Sequence, residues 1–176
     1  NIALTLRNAG RADEAVAAFE RWIAAEDFDL PQGLMALGDP RLAIIDRRQQ
    51  WLPEAHLASG EIRFAQGQYA EAIEWWDRYV TRFPDGPHWA HCQRLIIDAE
   101  VEIVLDAVAE ADHDDARERI AAFVASHPLD GRAASLQFII GQMHAVAADE
   151  LFDAEEADDD DRAEARRKYH EAIAAW

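Results

Sequence analysis

A short phrase that recurs along the chain is the feature that most restricts what the sequence can fold into. Residues 67–76 read GQYAEAIEWW, and the segment RFP follows at residues 82–84. A weaker copy occupies residues 10–19, and partial echoes lie at 116–128 and 165–172. Repeats of this kind are typical of stacked arrays of structural units, in which function resides in a surface rather than in a catalytic pocket.

The composition favours helices and a continuous core. Hydrophobic residues make up 50% of the 176 residues, which is enough for one buried core. Alanine, leucine, glutamate and arginine dominate, and all four are strong helix formers. Val, Ile and Thr rarely alternate with polar residues as they do in half-buried strands. We therefore predict an all-α fold, with residues 1–176 forming a single domain.

The charge of the chain restricts its partners. A formal net charge of −18 argues against nucleic acid, whose phosphates attract Lys and Arg, and against an anionic membrane surface. A partner with basic residues fits better. The apolar stretches fall far short of the ~20 residues that span a bilayer, so no direct membrane insertion is expected. Lys168 is the only lysine; codon bias is the simpler explanation, and salt adaptation is the alternative.

Glycine and proline divide the sequence into helix pairs. Gly10 and Gly67 supply left-handed turns between the two helices of a pair. Pro53 is expected to open a helix that runs to about Ala65, because proline suits the first helical position. The predicted repeats cover residues of about 1–30, 53–86, 87–130 and 131–176, and 31–52 form an inserted segment with a short extra helix. An acidic run at 153–161 is expected to be a solvated loop.

The clearest of these units resembles the tetratricopeptide repeat family. The matching positions are Gly60, Gly67, Tyr69, Ala72, Trp76 and Pro84. The resemblance implies an α-solenoid of about four helix-turn-helix repeats. The alanines Ala15, Ala72, Ala116 and Ala165 lie farther apart than the family's repeat of about 34 residues, so the array is expected to be irregular. In the third unit Ala111 takes the place of the turn glycine, Gly67.

Other features of the sequence concern origin and location. Residues 83–86 and 127–131 resemble the repeat subtype of bacterial envelope lipoproteins and periplasmic coordinators, which favours the bacterial cell envelope or periplasm over the cytoplasm. The chain starts at Asn1 rather than Met, and its last helical pattern has no terminator. We therefore expect a fragment of a longer chain.

The resemblance also implies a partner-binding groove, lined by the first helix of each pair. The family's groove positions fall here on a mixture of acidic and apolar residues, which suits a basic or amphipathic segment. These residues are Glu54, Leu57, Glu61, Phe64, Asp98, Val101, Leu105 and Val108; Leu4, Arg7 and Asn8 are their counterparts in the first unit. The resulting hypothesis is a non-catalytic protein-interaction scaffold in a larger assembly. The alternative is a helical accessory or linker region of a larger enzyme or regulator.

Several candidate chemical sites have simpler explanations. His88, His91 and Cys92 could share a helix face and bind a soft divalent metal, but no fourth ligand is evident; the alternative is a helix start with a buried cysteine. The acidic run at 158–161 lacks the spaced ligands and central glycine of a calcium loop. No phosphate-binding glycine loop or nucleophile motif is present, so no cofactor and no enzymatic activity are expected.

The adjacent pair Trp75 and Trp76 has two interpretations. Trp76 occupies the family's core position, and Trp75 lies one residue around the helix. Trp75 could be an exposed hot spot for a partner. We favour packing against neighbouring helices for both side chains.

Overall fold

A computed structural model describes the backbone of residues 2–24, 40–110, 113–153 and 158–175. These residues form helices and short turns, with no strand among them. The helices are α1 (Ile2–Asn8), α2 (Ala12–Ala24), α3 (Pro40–Ala65), α4 (Tyr69–Arg82), α5 (Trp89–Ala109), α6 (His113–Ser126), α7 (Gly131–Asp153) and α8 (Asp159–Ala175). The predicted all-α fold of tetratricopeptide-like helix pairs is confirmed.

The chain divides into two compact units. The first comprises Asn1–Glu102 and therefore contains α1 to α4 and the larger part of α5. The second comprises Ile103–Trp176, with the end of α5 and α6 to α8. The grouping of all residues into one domain, and the repeat boundaries, stay predictions.

The glycines of the recurring phrase turn the chain between paired helices, as expected. Gly10 and Gly67 have φ values of 73° and 75°, a left-handed conformation that glycine adopts without steric cost. After each glycine a backbone amide bonds back across the turn: Arg11 N–H donates to Leu6 O at 2.9 Å, and Gln68 N–H donates to Arg63 O at 2.9 Å. These bonds satisfy carbonyl groups that the helix end would otherwise leave unpaired.

Helix α3 corrects the prediction for Pro53. It runs unbroken through this proline, so the expected helix start at Pro53 and the separate short helix before it are wrong. Proline lacks an N–H and disfavours a helix interior by about 3 kcal/mol. Burial on both sides of Pro53 opposes this cost, because Leu52 and Ala55 are 3% and 2% exposed. Residues 31–39 of the predicted insertion lie outside the described residues.

The core of the first unit consists of two clusters, and the adjacent tryptophans belong to different ones. Trp75 packs with Val16, Phe19 and Ala55 in a cluster of α1 to α4. Trp76 packs with another cluster, whose buried members on α3, α4 and α5 are Leu57, Ala72, Tyr79, Cys92, Ile96 and Ala99. Consecutive side chains on a helix point about 100° apart, so one dipeptide joins both cores. The packing interpretation of both tryptophans is confirmed.

The alanine of the recurring phrase is fully buried at every copy. Ala15, Ala72, Ala116 and Ala165 are each 0% exposed. A methyl side chain lets neighbouring helix axes approach closely, which explains why this position stays small while the surrounding sequence varies. In the second unit Ala148 and Ala172 add to this pattern, at 0% and 1% exposed.

The acidic run before α8 differs from expectation. Residues 153–161 were expected to form a loop, but Asp159 to Asp161 form the first turn of α8. Asp158 precedes the helix, and its Oδ1 accepts backbone N–H bonds from Asp160 at 2.8 Å and Asp161 at 2.9 Å. Carboxylates at a helix N-terminus satisfy free amides and complement the helix dipole, so this run starts a helix. Residues 154–157 are outside the described part of the chain.

Candidate partner-binding surface

An ion pair and a hydrogen-bond contact connect α3 with α1 and with the residue just before α5 in the first unit. Glu61 on α3 pairs with Arg7 on α1, with an Oε2–Nη2 distance of 3.0 Å. Glu54 on α3 faces His88, just before α5, with an Oε1–Nε2 distance of 2.9 Å. We call Arg7, Glu54, Glu61 and His88 the first-helix face. Their side chains are 33–46% exposed, so they remain accessible to a partner.

The contact between Glu54 and His88 fixes the register of the third helix pair. These residues are separated by 34 positions, which is the length of a tetratricopeptide repeat. Adding the same interval to Leu57, Glu61 and Phe64 gives the equivalent positions His91, Leu95 and Asp98. The sequence pattern, with Ala111 as the equivalent of Gly67, predicts Asp98 rather than His88 as the equivalent of Glu54 in the third unit.

The structure instead places His88 opposite Glu54. His88, His91 and Leu95 are therefore candidates that sequence reasoning missed as surface residues. The available signal was the interval from Pro53 to Pro87, which equals one repeat. The two histidines had been considered only as metal ligands.

The apolar members of the predicted groove belong largely to the core of the first unit. Leu57 and Val101 are only 8% and 7% exposed. Phe64 is partly buried, packs against the Trp76 cluster, and its ring centroid lies 5.1 Å from that of Tyr69. Such side chains contribute to the packing that fixes the positions of α3 and α5.

The remaining predicted residues divide between the two units. Glu54 and Glu61 lie on the first-helix face, and Asp98 is half-buried on α5. Leu105 and Val108 belong to the second unit. There Leu105 is 39% exposed, whereas Val108 packs against a buried cluster of Ala107, Ala116 and Met143. As a partner-binding set, the eight residues stay a prediction.

A half-buried arginine of α3 pairs with acids of the neighbouring helices α2 and α4. Arg63, whose side chain is 16% exposed, pairs with Asp13 of α2 at 3.0 Å and with Glu71 of α4 at 3.1 Å. Its guanidinium also donates to Gln68 Oε1 at 2.7 Å, in the turn before α4. One planar cation thus connects three helices, a task for which the guanidinium fork is well suited.

Cys92 packs in the interior as a core residue. It is 0% exposed and lies in the cluster of Trp76 and Tyr79. Burial, together with the negative charge of Glu61, raises the pKa of its thiol to about 11, whereas metal binding requires the thiolate. Among the described residues, no group of three or more His, Cys, Asp or Glu side chains is arranged to hold a metal ion.

Among the described helices, none combines the length and the apolarity that a membrane span requires.

Comparison with known proteins places one segment of the chain in a family. The family model for the tetratricopeptide repeat matches residues 32–87. This range contains α3, the turn at Gly67 and α4. No curated protein and no solved structure matches the chain. Together with the all-α fold, the match supports a repeat protein of the tetratricopeptide type. Repeats of this family generally mediate protein–protein interactions and are typically non-catalytic.

Proposed function

We propose that the chain is a protein-interaction module whose first-helix face binds a basic or amphipathic segment of a partner protein in a larger assembly. One observation carries this proposal: the two acids of α3 lie partly exposed, Glu61 in an ion pair with Arg7 and Glu54 in a hydrogen-bond contact with His88. Exposed ion pairs contribute only about 0–1 kcal/mol. A cationic side chain of a partner can therefore displace Arg7 from Glu61, or His88 from Glu54, at little cost.

The spacing of the two acids restricts the partner further. Glu54 and Glu61 are seven residues apart on α3, and seven residues of α-helix rise by about 10.5 Å. A segment in the polyproline II conformation has three residues per turn and rises about 3.1 Å per residue, so every third side chain lies on the same face, about 9.3 Å from the last. Basic side chains three positions apart in such a partner therefore match the spacing of the two acids. The buried residues beneath, such as Leu57, keep the two carboxylates on one rigid helix.

Selection from a library of displayed short peptides tests the proposal, since it needs no known partner. We expect the wild-type chain to enrich peptides with Lys or Arg three positions apart. The double variant Glu54→Arg/Glu61→Arg should bind the enriched peptides at least tenfold more weakly, because like charges now face each other. The matched control is Glu74→Arg/Asp77→Arg, which makes the same charge change on exposed residues of α4.

Circular dichroism of both variants establishes whether helix content is retained. Enriched peptides that are acidic, or that bind the Glu54→Arg/Glu61→Arg variant as tightly as the wild type, would contradict the proposal. Equal loss of binding in the α4 control would indicate a general effect of net charge rather than a site at the first-helix face.

A further inference from the structure

A buried histidine lies at the packing of α3 on α4. His56 of α3 is 3% exposed, and among the described residues neither its Nδ1 nor its Nε2 has a hydrogen-bond partner. Its ring lies against two aromatic rings: the centroid distances are 5.6 Å to Trp75 and 5.9 Å to Phe83. Buried polar groups are almost always hydrogen-bonded, so this ring is an exception that requires an explanation.

The charged side chains that lower the pKa of His56 are positive, so they disfavour protonation of the ring. They are Arg82 and Arg78, both from the C-terminal half of α4. The Arg78 guanidinium lies 4.9 Å from the centroid of the Trp75 ring, and that of Arg82 lies 5.8 Å from the centroid of the Phe83 ring. Glu74, the acid of this region, pairs with Arg78 at 3.3 Å rather than with the histidine. A protonated His56 would therefore be a buried cation between two others.

We propose that His56 is an acid-sensitive latch, which holds α3 against α4 while the ring is neutral and opens their packing when the ring takes up a proton. In the closed state the neutral imidazole fills space between Trp75 and Phe83 as an aromatic side chain. Proton uptake at either ring nitrogen produces an imidazolium with no acceptor in the closed packing, so the protonated ring must reach water. The latch is a property beyond partner binding, and it does not depend on the first-helix face.

The direction of the pH dependence follows from the two states of the ring. Burial, with the charges of Arg82 and Arg78, lowers the pKa of His56 from its ordinary 6.5 to about 4. The open state, with an ordinary pKa, binds the proton more tightly, so the contribution of His56 to stability is constant above pH 6.5. It is lost as the pH falls from 6.5 towards 4. Linkage gives an opening equilibrium constant that increases about twentyfold between pH 7 and pH 5.

The test compares urea unfolding of the wild type and His56→Leu at pH 7 and pH 5, followed by tryptophan fluorescence. Leucine is apolar and similar in volume, so the variant should lose the pH-dependent contribution of this site. We expect the unfolding constant of the wild type to rise about twentyfold more than that of the variant between pH 7 and pH 5. His91→Gln, a change at a half-buried histidine of the same unit, should behave as the wild type.

A second measurement decides the question even where His56→Leu fails to fold. The NMR signal of the His56 ring in the folded wild type, followed from pH 7 to pH 4.5, should stay that of a neutral imidazole. Titration of this ring near pH 6.5 in the folded protein would overturn the proposal. So would an equal response of the wild type and His56→Leu to acid.

Discussion

Replacing Gly60 by alanine tests a close approach of α3 to Trp76 of α4. A Cβ atom at Gly60 would lie 2.3 Å from Trp76 Nε1, 2.6 Å from Cε2 and 2.7 Å from Cδ1. Distances below 3.0 Å between such atoms require one side to move. Trp76 is 0% exposed, and its Nε1–H donates to Leu57 O at 3.3 Å, so the indole has little freedom to withdraw.

Three effects decide the magnitude: two destabilise the fold and one stabilises it. Overpacking a well-packed core costs typically about 1–3 kcal/mol, and weakening the Trp76–Leu57 hydrogen bond costs about 0.5–1.5 kcal/mol more. Alanine is the better helix former, and this offsets about 1 kcal/mol of the loss. We therefore expect Gly60→Ala to lower the free energy of unfolding by about 2 kcal/mol, or roughly thirtyfold in the equilibrium.

Urea unfolding followed by circular dichroism measures this change, and two other glycines separate its causes. Gly67→Ala places a Cβ in open space but at φ 75°, so only the left-handed backbone is penalised, by about 1–2 kcal/mol. Gly131→Ala meets no atom within 4 Å at the start of α7 and has no such φ. It should change stability by less than about 0.5 kcal/mol.

The reasoning predicts a specific interaction between Gly60 and Trp76. Trp76→Phe removes the part of the indole that the new Cβ would meet, so it should cost less in a Gly60→Ala background than in the wild type. Additive costs in this double-mutant cycle would refute the steric explanation. A Gly60→Ala variant as stable as the wild type would refute the close approach of the two helices.

The remaining predictions concern Cys92 and Arg63. Burial raises the pKa of the Cys92 thiol to about 11, so a thiol reagent at pH 8 should label the folded chain far more slowly than the urea-unfolded chain; equal labelling rates would contradict the buried position. Arg63→Lys should lower the free energy of unfolding by about 1–2 kcal/mol, because an ammonium cannot bond the carboxylates of α2 and α4 in the same geometry. Arg21→Lys, an exposed control on α2, should unfold at the wild-type urea concentration.

The parts of the fold that were predictable from the sequence depend on local chemistry. A glycine within a helical pattern predicts a left-handed turn, and both Gly10 and Gly67 form one. A small residue at a fixed position of a repeat predicts close helix packing, as the full burial of Ala72 illustrates. These predictions depend only on the residue and its neighbours in sequence, so they hold whatever the distant contacts of the chain are.

The parts that could not be predicted depend on contacts distant in sequence. A proline after a turn-like segment ordinarily starts a helix, but Pro53 lies inside α3, where the neighbouring Leu52 and Ala55 are buried. The unpartnered state of His56 is invisible in sequence, since it follows from what α4 places around the ring. The repeat period of about 34 residues predicts the pairing of Glu54 with His88. Taking Ala111 as the equivalent of Gly67 obscures this pairing, because it places the third unit too far along the chain.

The length of α5 explains both this misalignment and the extent of the regular array. One repeat after Gly67 falls at Val101, where a turn-forming glycine would end the first helix of the third pair. Val101 is instead a buried helical residue, and α5 continues to Ala109. The extra residues thus extend a helix, and the division between the two units, after Glu102, falls at the point where the repeat period is lost. The regular 34-residue spacing is therefore retained in the first unit by Glu54 and His88, whose side chains are in contact.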